Sequence, residues 1–226
     1  MSEFDKEYWE DHWASDNTGE ADRLPVNPYL LVETDRLTPG TALEAGCGEG
    51  TEALWLAERG WQVTGADISS TALKAARERG AELGLADRVE WVEADLMRWE
   101  HERQWDLVVT HYAHADLGQL ALYEQLSKWV APGGTLLIVG HVGGSGHGHD
   151  APHGEGHQEE HGHDHGNDHG GQPPETAIAT IESMMELFAG AQWRVDAAYE
   201  NTRTIYPSGR EIVLTDVVFR TYCNPS

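Results

Sequence analysis

Three glycines alternate with other residues directly after an apolar segment. Gly46, Gly48 and Gly50 follow residues 41–45 and precede a helical pattern that begins at Thr51. Glycine adopts backbone dihedrals that other residues avoid, and its missing side chain lets a ligand approach the main chain closely. In doubly wound α/β sheets, ligands bind at the carboxyl ends of strands where the strand order reverses. The spacing therefore predicts a ligand site at the end of the first strand.

Two acidic residues end the next two predicted strands. Asp67 lies in the strand 62–68, and Asp95 ends the strand 89–95. A carboxylate at the first of these positions can accept hydrogen bonds from both ribose hydroxyls. One strand further out, a carboxylate can bind an adenine amino group. Acids at strand ends also cap the helices that follow them, but the ordered set favours an adenosine site.

The glycine spacing differs from the pattern that binds nicotinamide dinucleotides. That pattern is Gly-x-Gly-x-x-Gly, whereas Thr51 occupies the position of its last glycine here. A chain of 226 residues is also short for a dinucleotide domain joined to a catalytic domain. A nucleotide-cofactor oxidoreductase is therefore the weaker alternative.

The end of the fourth predicted strand, 106–112, carries three side chains suited to catalysis: His111, Tyr112 and His114. The fold places this strand end beside the reactive part of a bound cofactor. A histidine there can accept a proton or orient a second substrate near neutral pH. The alternative is that one histidine faces solvent and Tyr112 packs over the adenosine. We predict that these three residues form the catalytic edge.

With these features, residues 40–142 resemble the class I S-adenosylmethionine-dependent methyltransferase family. Segment 44–50 (EAGCGEG) matches its acid-and-glycine motif, Asp67 its ribose-binding acid, and Asp95-Leu96 its adenine-binding pair. Segments 105–109 and 126–138 resemble its fourth strand and the helix, turn and strand that follow. The resemblance implies S-adenosylmethionine as cofactor and in-line transfer of a methyl group to a small-molecule acceptor. The cofactor-binding residues that it implies are Glu44, Ala45, Gly46, Cys47, Gly48, Gly50, Asp67, Ile68, Asp95, Leu96 and Thr110.

The aromatic segment 8–13 (YWEDHW) is similar to the opening of the tellurite-resistance and thiopurine methyltransferase branch of this family. The similarity implies a segment that folds over the cofactor, with Tyr8 and Trp13 in contact with it. Aromatic faces attract a sulfonium through cation–π contact. Ordinary packing of a first amphipathic helix is the alternative.

The elements that must position these residues alternate between strand and helix. This alternation, with short connections, predicts an α/β fold with a doubly wound, mostly parallel sheet. Two final runs joined by a Pro-Ser-Gly turn predict a C-terminal antiparallel hairpin, which gives seven strands and a Rossmann-like methyltransferase fold. The resemblance implies the strand order three-two-one-four-five-seven-six. The predicted strands are 41–47, 62–68, 89–95, 106–112, 135–142, 193–204 and 212–222, and the helices are 51–59, 70–83, 116–130 and 174–188.

We predict four segments in this single domain. Residues 1–40 form the cofactor lid, 41–142 the S-adenosylmethionine-binding core, and 173–226 the helix and hairpin that complete the sheet. Residues 143–172 are almost entirely Gly, His and polar or acidic residues. Such a segment has too little apolar surface to offset its ordering entropy, so it predicts a disordered insertion. Trp91 and the other tryptophans of the core are interpreted as packing residues.

Histidines in this insertion suggest metal binding. Imidazoles spaced by one or three residues can bind Zn, Ni or Cu divalent ions weakly and flexibly. The alternative function is therefore a metal-binding or metal-responsive protein on a methyltransferase scaffold. The other interpretation of the segment is a solvated linker whose histidines have no role. Metal-dependent catalysis is not expected. The candidate metal ligands are His147, His149, His161, His163 and His165.

The amino-acid composition limits the classes of binding partner that we expect for this chain. The chain has 15 basic and 39 acidic residues, a formal charge of −24. An acidic surface repels phosphate backbones and anionic lipids, which disfavours nucleic acid and membranes as partners. Two cysteines give no disulfide framework, as expected for a reducing cytoplasm. We expect a cytoplasmic monomer or homodimer that acts on a small molecule.

Overall fold

The computed structural model describes residues 5–15, 25–142, 179–206 and 211–225 of the 226-residue chain. Six helices and seven strands lie within these ranges. The helices are α1 Lys6–Ser15, α2 Pro28–Thr34, α3 Thr51–Glu58, α4 Ser70–Glu82, α5 Gln119–Ser127 and α6 Ile181–Leu187. The strands are β1 Thr41–Ala45, β2 Gln62–Asp67, β3 Val89–Glu93, β4 Trp105–His111, β5 Val130–His141, β6 Trp193–Ile205 and β7 Ile212–Cys223.

The strands form one seven-stranded sheet in the order β3-β2-β1-β4-β5-β7-β6. The first five strands are parallel, and β7 runs antiparallel to both β5 and β6. The predicted α/β class, the seven strands and the C-terminal hairpin are confirmed. The strand order reverses between β1 and β4, so the ligand-binding edge of such a sheet lies at their carboxyl ends.

Local sequence explains where the helices on either side of β2 begin and end. Gly50 and Gly60 flank α3, and both have positive φ, 72° and 95°. Ser69 caps α4 because its side chain accepts a hydrogen bond from the backbone N–H of Ala72 at 3.2 Å. Gly84, at φ 70°, follows the end of that helix. The predicted helices in this region therefore agree with the structure within two residues.

Two apolar layers cover the sheet. Residues of α2 and α3 pack on one face, and residues of α5 and α6 pack on the other. β1 alternates between the layers, since Ala42 contributes to the first and Leu43 to the second. Trp105 and Trp129 are buried in the second layer, as predicted. Within the described ranges, no helix is long and apolar enough to cross a bilayer.

The connection from α5 to β5 differs from the prediction. The helix was expected over 116–130 but spans Gln119–Ser127, and β5 begins at Val130 rather than at residue 135. Val130 pairs with Trp105, and a register shift then lets the chain bulge before regular pairing resumes. At Gly134, a Cβ would lie within 3.0 Å of backbone oxygens, so this crowded bulge requires glycine. The predicted insertion 143–172 and residues 174–178 of the helix predicted over 174–188 lie outside the described residues.

Candidate active site

The glycine turn has the backbone that its spacing predicts. Gly46, Gly48 and Gly50 all lie in the left-handed region, at φ 74°, 49° and 72°. The N–H groups of Gly46 and Cys47 both donate to the Ala66 carbonyl, at 2.8 and 3.1 Å. The turn is thereby fixed to the end of β2, in a conformation that other residues adopt only with strain.

Three side chains pack against this turn in the space left by the missing Cβ atoms of its glycines. A Cβ on Gly46 would lie 2.5 Å from the Cβ of Ala113, and one on Gly48 would lie 2.7 Å from the Trp13 ring. The Trp91 ring lies equally tightly against Gly50. The position of Trp91 beside the turn was missed, because an apolar residue in a strand gives no sign of which end of the sheet its ring reaches.

Asp67 ends β2 with its side chain turned towards the glycine turn. Its Oδ2 accepts the N–H of Gly48 at 2.8 Å, and its Oδ1 accepts the N–H of Ser69 at 2.9 Å. Burial raises the pKa of this carboxyl above its ordinary value, while the two N–H donors oppose that rise. A carboxylate has about four acceptor positions, so these two hydrogen bonds leave it able to accept others.

Asp95 lies beyond the end of β3 and already has partners. Its Oδ1 accepts the N–H of Met97 at 3.0 Å, and its Oδ2 pairs with Arg98. Arg98 also bonds Asp116 at 2.9 Å, which links the ends of β3 and β4. Arg98 could not be identified from the sequence, since its pairing depends on the distance between two loops. Leu96, which follows Asp95, and Ile68, which follows Asp67, are half-buried.

Glu44 and His111 form a buried pair beside the turn. The Oε1 of Glu44 lies 3.9 Å from the Nδ1 of His111, and their side chains are 2% and 5% exposed. Within the described part of the chain, Glu44 Oε2 and both ring nitrogens of His111 are buried without a hydrogen-bond partner. Burial, then the negative charge of Glu52, raises the pKa of Glu44 well above its ordinary value. Burial likewise lowers the pKa of His111, so both groups favour their neutral forms.

Glu44→Gln tests whether ionisation of this buried carboxyl destabilises the fold. A carboxyl whose folded pKa is raised contributes stability at low pH and loses it as pH rises through the folded pKa. We therefore expect Glu44→Gln to gain unfolding free energy relative to wild type between about pH 5 and pH 8, by about 1 kcal/mol or more. Urea unfolding of the ligand-free proteins at both pH values measures it. Glu58→Gln, on the exposed side of α3, is the control and should show no such gain.

Two predicted cofactor contacts use their polar atoms within the protein. The Thr110 hydroxyl donates to the Ala45 carbonyl at 2.9 Å and joins β4 to β1. Cys47 is buried with its sulfur close to Gly65, and burial raises the pKa of its thiol well above the ordinary value. Neither side chain is directed into an open cleft, so any contact of these residues with a cofactor runs through their backbone.

Tyr112 and His114 follow β4 in partly buried positions, and the backbone of Tyr112 is strained. Tyr112 has φ 56°, which makes it the one non-glycine residue with positive φ in the described ranges. Such backbones cluster at functional sites. The Nδ1 of His114 lies 3.3 Å from Gln119 Oε1, and burial lowers the pKa of this histidine. The structure therefore brings all three predicted catalytic residues to the carboxyl edge of β4.

Helix α1 lies against α4 and covers the glycine turn. Glu10 accepts hydrogen bonds from Ser69 Oγ at 3.0 Å, from Ser70 N and Oγ at 2.8 Å, and from Thr71 N at 3.2 Å. Hydrogen bonds from Thr71 and then the two serines lower the pKa of Glu10 to about 2. This clamp holds Trp13 over Gly48. Tyr8, the other predicted lid residue, is 41% exposed and stacks on His12 instead.

Glu10→Gln tests whether the clamp supports cofactor binding. The amide removes the negative charge that stabilises the first turn of α4 and leaves one donor facing the N–H groups. We expect the affinity for S-adenosylmethionine to fall about 3- to 10-fold, a loss of the size of a helix cap. Calorimetry measures it, with Glu7→Gln on the same helix as the matched control. Equal affinity of all three proteins would show that α1 is not a functional lid.

The predicted metal ligands His147, His149, His161, His163 and His165 lie outside the described residues. In the ranges that the structure covers, no group of three or more His, Cys, Asp or Glu side chains is arranged to hold a metal ion.

The sheet order, the left-handed glycines and the acid at the end of β2 resemble those of the class I S-adenosylmethionine-dependent methyltransferase fold. Residues 42–134 match the family described as methyltransferase domain. The chain is 32% identical over 144 residues to the probable thiol methyltransferase 2 of Arabidopsis thaliana, covering 62% of this chain and 63% of that protein.

A second relative and a solved structure extend the comparison. The chain is 36% identical over 107 residues to the ribosomal RNA small subunit methyltransferase C of Alcanivorax borkumensis, covering 45% of this chain and 32% of that protein. The chain thus spans less than two thirds of the length of these curated relatives. The N-methyltransferase NodS of Bradyrhizobium japonicum, solved with S-adenosyl-l-homocysteine, superposes with a TM-score of 0.65. Its identity is 15%, with 96% of this chain and 98% of that chain covered, so it supports the fold alone.

Proposed function

We propose that this protein transfers the methyl group of S-adenosylmethionine to the sulfur of a small-molecule thiol. The assignment of the donor depends on the left-handed glycine turn, which lies where the strand order reverses. In this turn the N–H of Gly48 donates to Asp67. The acceptor class is supported by the name of the thiol methyltransferase relative. It is also supported by the acidic charge of −24, which disfavours a polyanionic acceptor.

The residues of the site fit this donor. The left-handed backbone of the turn is the feature that favours a ligand there, since the space that a Cβ would take at each glycine is already filled by Ala113, Trp13 or Trp91. The unpartnered atoms of Glu44 and His111 lie buried beside the turn and suit the polar amino-acid part of the donor. Asp67 would accept the ribose hydroxyls, and Asp95 with Leu96 would hold the adenine.

When bound, the donor supplies an activated methyl group on a positively charged sulfur. The protein then has to align the acceptor with that methyl and exclude water. Trp13, held over Gly48, suits both tasks, because an aromatic face attracts a sulfonium and covers the turn. His111 and His114 flank the carboxyl edge of β4, where we assign them to positioning of donor and acceptor.

Two measurements test this proposal. Calorimetric titration should give binding of S-adenosylmethionine and of its demethylated product. A transfer assay with methyl-labelled donor should then label small thiols in preference to phenols, amines and a ribosomal RNA fragment. Absence of binding would reject the donor assignment, and preferential labelling of the RNA or of an amine would reject the acceptor class.

A further inference from the structure

Tyr112 connects the end of β4 to the segment that packs on the glycine turn. Its φ of 56° lies in the left-handed region, where a bulky residue stays only if its surroundings fix it. Its N–H donates to the Val139 carbonyl of β5 at 2.9 Å. The next residue, Ala113, places its Cβ where a Cβ on Gly46 would lie. The backbone conformation of Tyr112 therefore decides whether Ala113 reaches the turn.

The Tyr112 hydroxyl has three polar partners, and each comes from a different element. It donates to Asp216 Oδ1 of β7 at 2.9 Å. It accepts hydrogen bonds from Arg203 of β6 at 2.9 Å and from the side-chain amide of Asn27, the N-cap of α2, at 3.2 Å. These three bonds occupy the donor and acceptor positions of a hydroxyl. A substrate could bond this hydroxyl only by displacing one of them, so the contacts favour an anchoring role over proton transfer.

Asp216 holds this arrangement together. It is 0% exposed, and in the antiparallel pairing of β5 with β7 it lies opposite His141, on whose ring the Tyr112 ring stacks. Arg203 Nε donates to its Oδ2 at 2.7 Å, which provides the pairing that a buried carboxylate requires. Burial, then the negative charge of Asp216, raises the pKa of Tyr112 above its ordinary value. The hydroxyl therefore keeps the proton that it donates to Asp216.

We propose that Tyr112 is a positioning residue of the donor site, whose hydroxyl holds the left-handed backbone that packs Ala113 on Gly46. This inference rests on the proposed function, since it concerns the site of the same donor. Without the three hydrogen bonds, residue 112 relaxes to the right-handed or extended backbone that an aromatic residue prefers, and Ala113 leaves the turn. The apparent donor affinity then falls with the fraction of molecules that keep the binding-competent backbone.

Tyr112→Phe tests the hydroxyl, because it keeps the ring and removes the three hydrogen bonds. We expect the affinity for S-adenosyl-l-homocysteine, the demethylated donor, to fall about 10-fold in a calorimetric titration. In Ala113→Gly the side chain that contacts Gly46 is already gone, so adding Tyr112→Phe to it should lower the affinity by less than about 3-fold more. Losses that multiply in full in the double variant would show that the hydroxyl does not act through Ala113 and would overturn the proposal.

Tyr199→Phe is the matched control. The Tyr199 hydroxyl donates to Glu33 at 2.8 Å, and this buried carboxylate pairs with Arg220 at 3.0 Å. Tyr199 lies in the regular pairing of β6 with β7, opposite Val218. Both variants thus remove a phenol from a buried carboxylate that an arginine pairs, but only Tyr112→Phe should lose donor affinity. Equal losses in the two variants would indicate a structural role alone.

Asn27→Ser is the second variant if Tyr112→Phe does not fold. Serine retains an N-cap for α2 but cannot supply the amide that bonds the Tyr112 hydroxyl, so we expect a loss of donor affinity of about 2- to 3-fold. Unchanged affinity in Asn27→Ser, or in a folded Tyr112→Phe, would overturn this inference and leave the proposed function standing. If the wild type does not bind S-adenosyl-l-homocysteine, the donor assignment fails and the role of Tyr112 fails with it.

Discussion

Gly46→Ala is expected to abolish binding of S-adenosylmethionine, with an affinity at least about 100-fold below that of the wild type. The added Cβ meets two penalties. It places alanine at φ 74°, where an L-residue is strained by about 1–2 kcal/mol. It also lies 2.5 Å from the Cβ of Ala113, so the segment after β4 must move off the turn. Both the glycine turn and the predicted catalytic edge at the end of β4 are therefore displaced.

Gly84→Ala is a matched control for this variant. Gly84 has φ 70°, close to that of Gly46, but nothing lies within 4 Å of the position that its Cβ would take. Thermal unfolding should show a loss of stability from strain in both variants and a further loss in Gly46→Ala from the clash with Ala113. Calorimetry should show loss of donor binding only in Gly46→Ala. Equal donor affinities would mean that the turn is not the binding site.

Asp67→Asn is expected to weaken donor binding about 100-fold, since charge-assisted hydrogen bonds contribute about 1.5–3 kcal/mol each. The amide keeps the shape of the side chain but replaces one acceptor oxygen with a donor. That donor faces the N–H of either Gly48 or Ser69, both of which now bond the carboxylate. The ribose also loses a negatively charged acceptor. Burial raises the pKa of Asp67, so donor affinity in the wild type should also fall on acidification, and this starts above the ordinary value of 3.8.

Asp106→Asn is the comparison for Asp67→Asn. Asp106 likewise accepts two hydrogen bonds, from the N–H and hydroxyl of Thr41 at 2.7 and 2.8 Å, but it lies at the opposite end of β4. Calorimetry at neutral pH should show unchanged donor affinity for Asp106→Asn. A loss of similar size in both variants would indicate general destabilisation and would contradict a ribose contact at Asp67.

The sequence was sufficient for the architecture and for the backbone of the glycine turn at the centre of the proposed donor site. Alternating strand and helix patterns separated by short turns leave few arrangements other than a doubly wound sheet. Glycines at 46, 48 and 50 carry their conformational information locally, because a left-handed backbone suits glycine whatever surrounds it. The position of Asp67 at a strand end is also local, and parallel strands bring such ends to one edge.

Only the tertiary structure shows which residues from distant segments lie beside the proposed site. Glu10 is one of 39 acidic residues, and nothing in its neighbourhood in the sequence distinguishes a clamp on α4 from a solvated side chain. His141 and Asp216 meet because β7 pairs with β5 in a register that the packing of the C-terminal hairpin decides. Periodicity specifies which face of an element is buried, but register and helix docking depend on the summed contacts of distant segments. For this reason the glycine turn could be predicted from the sequence, whereas the contacts between distant segments beside it could be found only in the assembled sheet.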